Sequence, residues 1–184
     1  MHGQITMDTG ARGSLVNHDL AWHQLADRSD ADWLIVLEDD AVPCRDFLDR
    51  AADALAYAPS VAVSFYVGTG RPLGRRIIRA LLAAEQAGNV WLTNPGLLWG
   101  VGVALRADIV KPMLDGVTEI RRPYDERMGE WLASHKIPVA YTLPSLVDHE
   151  DGQSIIGTDR PEMVRKAHKL GPMPLSWKTP ATAI

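Results

Sequence analysis

Eight residues constrain this chain more than any others: Trp33-Leu34-Ile35-Val36-Leu37-Glu38-Asp39-Asp40. Five apolar residues in succession, two of them β-branched, predict a strand buried on both faces, and the run stops at three consecutive carboxylates. The charge therefore lies at the strand's C-terminal end, where ligands bind in open α/β sheets. Adjacent acids repel unless a cation or water screens them, and carboxylate oxygens suit a hard divalent ion such as magnesium or manganese. The plainer alternative is a solvated acidic loop after a strand.

A chain of 184 residues, 46% hydrophobic and 23% charged, is long enough for one domain with a sizeable core, and two domains would be cramped. We expect that single domain to span 1–184, with an irregular, glycine-containing lead-in over 1–13 and a flexible basic tail over 160–184. The net charge of -4 offers no basic excess to neutralise phosphates, so no nucleic-acid partner is expected. Cys44 is the only cysteine, which excludes an intramolecular disulfide or a cysteine zinc cluster. A packed thiol is the expected role there. No apolar run reaches the length of a membrane span, and the N-terminus lacks the charged-then-apolar pattern of a signal sequence. The expectation is a soluble cytoplasmic protein.

Helical periodicity begins at Ser14, where Leu15, His18, Trp22, Leu25 and Ala26 share a face. His18 lies on that apolar stripe, which by default makes it a core histidine. Phe47, Leu48, Ala51, Ala52 and Leu55 repeat the pattern after the acidic run, and Pro59 closes it. Val61 to Val67 reads as a second strand, followed by Gly68-Thr69-Gly70-Arg71-Pro72-Leu73-Gly74 and a helix over 75–87. The GxGxxxG spacing is a poor dinucleotide signature, so a flexible loop is favoured, with Arg71, Arg75 and Arg76 as candidate phosphate contacts. Ile77, Ile78, Leu81 and Leu82 should pack that helix on the sheet. Trp91 and Trp99 could wall a sugar pocket by stacking or fill the core.

A short helix over 106–114 leads through a polar connection to Arg121-Arg122-Pro123-Tyr124-Asp125-Glu126-Arg127. Pro123 is placed to start a helix, with Asp125 and Glu126 in the first turn and Met128, Trp131 and Leu132 on the buried side. Ile137 to Leu143 is expected to be the last strand, and it runs into Val147-Asp148-His149-Glu150-Asp151, a histidine among acids. Pro172, Pro174 and Pro180 discourage regular structure beyond Leu170.

In their order, these motifs resemble glycosyltransferases of the GT-A type, and most closely the lipopolysaccharide-type enzymes of glycosyltransferase family 25 and related phage and actinobacterial proteins. The resemblance rests on Asn17-His18 in a helix, LEDDA at 37–41 followed by Asp46-Phe47, WGVG at 99–102, PYDERMGEWL at 123–132 and PSLVDH at 144–149. It covers about Gly13 to about Gly157. It implies an α/β, Rossmann-like mixed sheet flanked by helices, and metal-assisted transfer of a sugar from a nucleotide diphosphate donor to a hydroxyl acceptor. By that resemblance Glu38 and Asp39 face the donor with Arg71 and Trp99, Asp40 and His149 hold manganese (or magnesium), and Asp125 is the acceptor-side base. In such enzymes a strand precedes the first helix; here it is absent, supplied by a partner, or replaced by Gln4 to Met7. A catalytically silent sugar- or nucleotide-binding protein is accordingly the alternative from a different class. A two-metal phosphohydrolase is disfavoured for want of a second acidic cluster, and no GxSxG or HExxH motif is present.

Overall fold

The computed structural model describes residues 5–7, 13–28, 30–68, 74–150 and 166–184. The chain is α/β: a mixed six-stranded sheet is flanked by helices and accompanied by a small two-stranded sheet. Helix α1 (Ser14–Arg28) precedes β1 (Trp33–Leu37), β2 (Ala41–Pro43), α2 (Phe47–Leu55), β3 (Ala62–Ser64) and α3 (Gly74–Ala87). Then come β4 (Trp91–Asn94), β5 (Gly102–Arg106), α4 (Ala107–Val117), α5 (Tyr124–Ser134), β6 (Val139–Thr142), β7 (Val147–His149) and β8 (Ala181–Ala183). The large sheet runs β1-β5-β3-β6-β4-β8, with β3 parallel to β6, β4 parallel to β8 and the other neighbours antiparallel.

Alternate side chains feed two apolar cores, one on each face of the sheet. Leu34, Val36, Ala62, Leu92, Val103, Leu105, Val139 and Tyr141 join α1, α3, α4 and α5 on one side. Val63, Trp91, Ala104 and Ala140 meet α2, Leu146, Val147 and Trp177 on the other. The expectation of a β1 strand buried on both faces is corrected here. β1 lies at the sheet's edge, so Leu34 and Val36 are buried while Trp33, Ile35 and Leu37 remain half-buried beneath the smaller core. Helix α3 also packs by only half of its expected apolar set: Ile77 and Leu81 are buried, whereas Ile78 and Leu82 are exposed.

Two further corrections concern the chain's second half. The strand of 137–143 is followed by β7 and β8, so it is not the last. The tail expected to be flexible instead folds over its described part, 166–184. Trp177 is buried, its carbonyl accepts a hydrogen bond from the Trp91 indole at 2.8 Å, and β8 extends the sheet alongside β4. Prolines in this segment cap and space the strand without abolishing it. Near the N-terminus, residues 5–7 form no helix or strand, and Thr6 contacts Asn17 and Gln24 of α1.

Candidate functional site

The register of β1 against β5 decides what surrounds the acidic turn. Leu37 lies opposite Gly102, and the Glu38 amide donates to the Val101 carbonyl at 3.0 Å, so the segment 99–101 runs beside Glu38. The backbone then turns, with the Ala41 amide donating to the Glu38 carbonyl, and enters β2. β2 pairs with β7 so that Ala41 lies opposite His149, and the Glu150 amide donates to the Asp40 carbonyl at 2.8 Å. A pairing more than a hundred residues apart in sequence thus delivers His149 to the end of β1.

Asp40 Oδ2 and His149 Nε2 lie 3.1 Å apart, with the imidazole buried and the carboxylate half-exposed. Asp40 Oδ1 and His149 Nδ1 are buried and have no hydrogen-bond partner among the described residues. An orphaned carboxylate oxygen is costly, and it fits a site built for a cation. At 3.1 Å the pair is in direct hydrogen-bond contact, and a divalent ion held here would draw on the Asp40 carboxylate and the His149 imidazole. Among the described residues no three His, Cys, Asp or Glu side chains converge to form a metal site, so the expected manganese (or magnesium) would rest on this pair alone. Magnesium in particular is commonly held by one or two carboxylates with substrate phosphates and water completing the shell.

The acids before Asp40 diverge. Asp39 is exposed, whereas Glu38 is half-buried and turns toward α1, where its Oε1 lies 3.9 Å from His18 Nε2. His18 is therefore not a plain core residue. Its ring stacks on Tyr124 with centroids 3.6 Å apart and planes within 10°. Burial lowers its pKa, as does the nearby Arg127 charge to a lesser degree, against the opposing pull of Asp19 and Asp39. The Tyr124 hydroxyl donates to the Gly100 carbonyl at 2.6 Å, and burial, reinforced by the charges of Glu38, Asp125 and Asp40, pushes its pKa well up. Arg127 of α5 reaches Asp19 of α1 through a buried ion pair, which fixes the two helices that carry Tyr124 and His18.

Asp125 opens α5 as expected, and its Oδ1 accepts the Glu126 amide at 2.9 Å. Burial nevertheless raises its pKa above the ordinary carboxylate value. It directly follows Tyr124, whose hydroxyl reaches the Gly100 carbonyl. Trp99 is half-buried, and its ring meets Tyr66 and Tyr141 edge to face at 5.6 and 6.0 Å. Tyr66 in turn lies 6.3 Å from the His149 ring, so an aromatic row leads from Trp99 to His149. Arg71 lies outside the described residues, while Arg75 and Arg76 are exposed on α3. Cys44 is a free, half-buried thiol whose pKa is raised chiefly by burial, which disfavours the thiolate.

Sequence patterning did not single out Tyr66 or the stacking role of Tyr124. Both lie inside apolar or motif stretches, where nothing in the spacing distinguishes a site residue from a core one. Two surface depressions, about 520 Å³ between α4 and α5 and about 430 Å³ between α2 and the 173–177 segment, are not lined by Glu38, Asp40, Tyr124 or His149. Compared with protein-family models and with curated proteins, the chain matches none.

Proposed function

We propose that the chain is a metal-dependent glycosyltransferase that moves a sugar from a nucleotide diphosphate donor to a hydroxyl acceptor. The observation that carries this reading is the meeting of Asp40 and His149 at the C-terminal end of β1, each with a buried atom that has no partner among the described residues. When bound there, manganese (or magnesium) supplies positive charge against the departing diphosphate.

The chain's own residues divide the remaining tasks. Glu38, held by the Val101 carbonyl and facing His18, is placed to accept hydrogen bonds from donor hydroxyls, as exposed Asp39 is beside it. The acceptor oxygen forms its bond to the anomeric carbon as the bond to the diphosphate oxygen breaks, and the acceptor proton passes to Asp125. A carboxylate whose proton affinity is raised by burial suits that task better than an ordinary surface acid. With Asp125 as base, the transfer inverts the anomeric centre.

Thermal shift with uridine and guanosine diphosphates and their sugars, each with and without manganese, tests this reading. A ligand that binds only the native state at a hundred times its Kd adds about 2.7 kcal/mol of apparent stability. Stabilisation is expected from a nucleotide diphosphate only when the metal is also present. A folded protein that responds to none of these pairs would contradict the proposal. Metal-dependent binding without sugar transfer to any hydroxyl would leave a silent nucleotide-binding protein.

A further inference from the structure

Helix α3 carries three arginines and a single acid, Glu85, in a chain whose net charge is -4. Its inner face buries Ile77, Ala80, Leu81 and Ala84 against the sheet. Directly opposite, Arg75, Ile78, Arg79 and Leu82 fall at the i, i+3, i+4 and i+7 spacing of one helical stripe, with Arg76 flanking it. Ile78 and Leu82 are 45% and 54% exposed, and Arg75, Arg76 and Arg79 form no ion pair with any carboxylate among the described residues. Glu85 is matched at 3.2 Å by Lys169, and the next residue, Leu170, is 49% exposed. The face is thus apolar at its centre and cationic around it, with its one acid already neutralised.

We propose that this face of α3 docks on an anionic lipid surface. Two large aliphatic side chains projecting between exposed arginines match the boundary of a bilayer, where apolar groups enter the acyl region and cations meet headgroup phosphates. A nucleic acid offers the phosphates but has no use for Ile78 and Leu82. A protein groove would take the aliphatic pair yet leave three arginines to be desolvated or matched. The net acidity of the whole chain argues against bulk attraction to polyanions, so the docking is local to one helix.

Co-sedimentation with vesicles of phosphatidylcholine alone, and with about one-third phosphatidylglycerol added, reads this directly. Binding is expected only to the anionic vesicles and should weaken with salt. Each arginine near such a surface contributes roughly fivefold, so Arg75→Gln/Arg76→Gln/Arg79→Gln should reduce partitioning by roughly a hundredfold. Ile78→Gln/Leu82→Gln should weaken it as well while leaving the salt dependence intact. These positions are exposed, so both variants should keep the wild-type melting temperature, which is measured alongside. Absence of binding to anionic vesicles by the folded wild type, or equal binding by the arginine variant, would overturn the proposal. So would a dimer in solution that Ile78→Gln/Leu82→Gln dissociates, because the face would then belong to a second copy. None of these outcomes depends on sugar transfer, so failure here is distinct from failure of the proposed activity.

Discussion

At Asp125 two effects oppose each other. A carboxylate in the first turn of a helix is normally stabilised by the dipole and by free amides, here the Glu126 N–H. Burial outweighs this and raises the pKa. The folded state therefore binds this proton more tightly than the unfolded chain. The stability this gives is full below the ordinary aspartate pKa and is lost as pH rises through the higher folded value. Asp125→Asn cannot ionise, so it should melt at least as high as wild type at neutral pH, with the difference shrinking toward about pH 3. As the proposed acceptor-side base, Asp125 should also contribute about 10²–10⁴-fold to turnover, so the same variant is expected to be slow while binding nucleotide normally. Melting curves across pH, donor affinity and transfer rate on this one variant decide the matter. A less stable variant of near-normal turnover would mean that Asp125 is a helix-start residue only.

His18 follows the opposite sign. Its folded pKa is depressed, chiefly by burial, so the stability associated with its neutral ring is present above the ordinary histidine value and is lost as pH falls through the folded one. Near neutral pH it faces Glu38 as an uncharged ring stacked on Tyr124. His18→Gln should therefore lose less stability than wild type on acidification, in melting experiments run from about pH 7 down to about pH 5. An unchanged acid limb would show that the ring titrates normally.

The next scale is the clamp formed by α1, α5 and the segment entering β5. Tyr124 fits between His18 and the backbone at Gly100 only because residue 100 has no side chain. A Cβ there would stand 2.2 Å from the Tyr124 hydroxyl and 2.6 Å from its ring carbon. The ring cannot retreat, since His18 is stacked against it and the ion pair between Arg127 and Asp19 holds both helices. Gly100→Ala should cost about 1–3 kcal/mol, as overpacking does, whereas Gly74→Ala, with nothing within 4 Å, should lie within about 0.5 kcal/mol of wild type. Denaturant unfolding of the two variants checks this. Equal stabilities would show that the clamp yields.

Elements with a full hydrophobic period are legible in the amino-acid sequence itself. The spacing of Leu15, Trp22 and Leu25 marks α1, Pro123 marks the start of α5, and WLIVL followed by acids marks β1 and its acidic end. β2, β7 and β8 are not legible there, because each spans three residues and owes its existence to a partner distant in sequence. The exposure of Ile78 and Leu82 is hidden for the same reason: periodicity predicts an apolar stripe but not how wide a stripe the sheet covers.

For the molecule as a whole, the sheet brings to one end pieces from five separated stretches: His18, Glu38 to Asp40, Trp99 to Val101, Tyr124 with Asp125, and His149. Their chemical types and order can be read along the chain. Their pairing cannot, because it depends on Leu37 lying opposite Gly102 and Ala41 opposite His149. Charge is partitioned in a similar way, with carboxylates gathered at the strand end and exposed arginines on α3, a distribution that a net value of -4 conceals.

The central claim is that Asp40 and His149 together hold a divalent ion against a nucleotide diphosphate. Calorimetric titration of uridine or guanosine diphosphate, with and without manganese, into wild type, Asp40→Asn and His149→Gln tests it most directly. Wild type should bind nucleotide only with the metal present. Each variant should keep its fold and lose at least about tenfold in metal-dependent affinity, the scale on which even supporting residues of metal sites act. Unchanged manganese-dependent affinity in both variants would contradict the account, since the ion would then lie elsewhere.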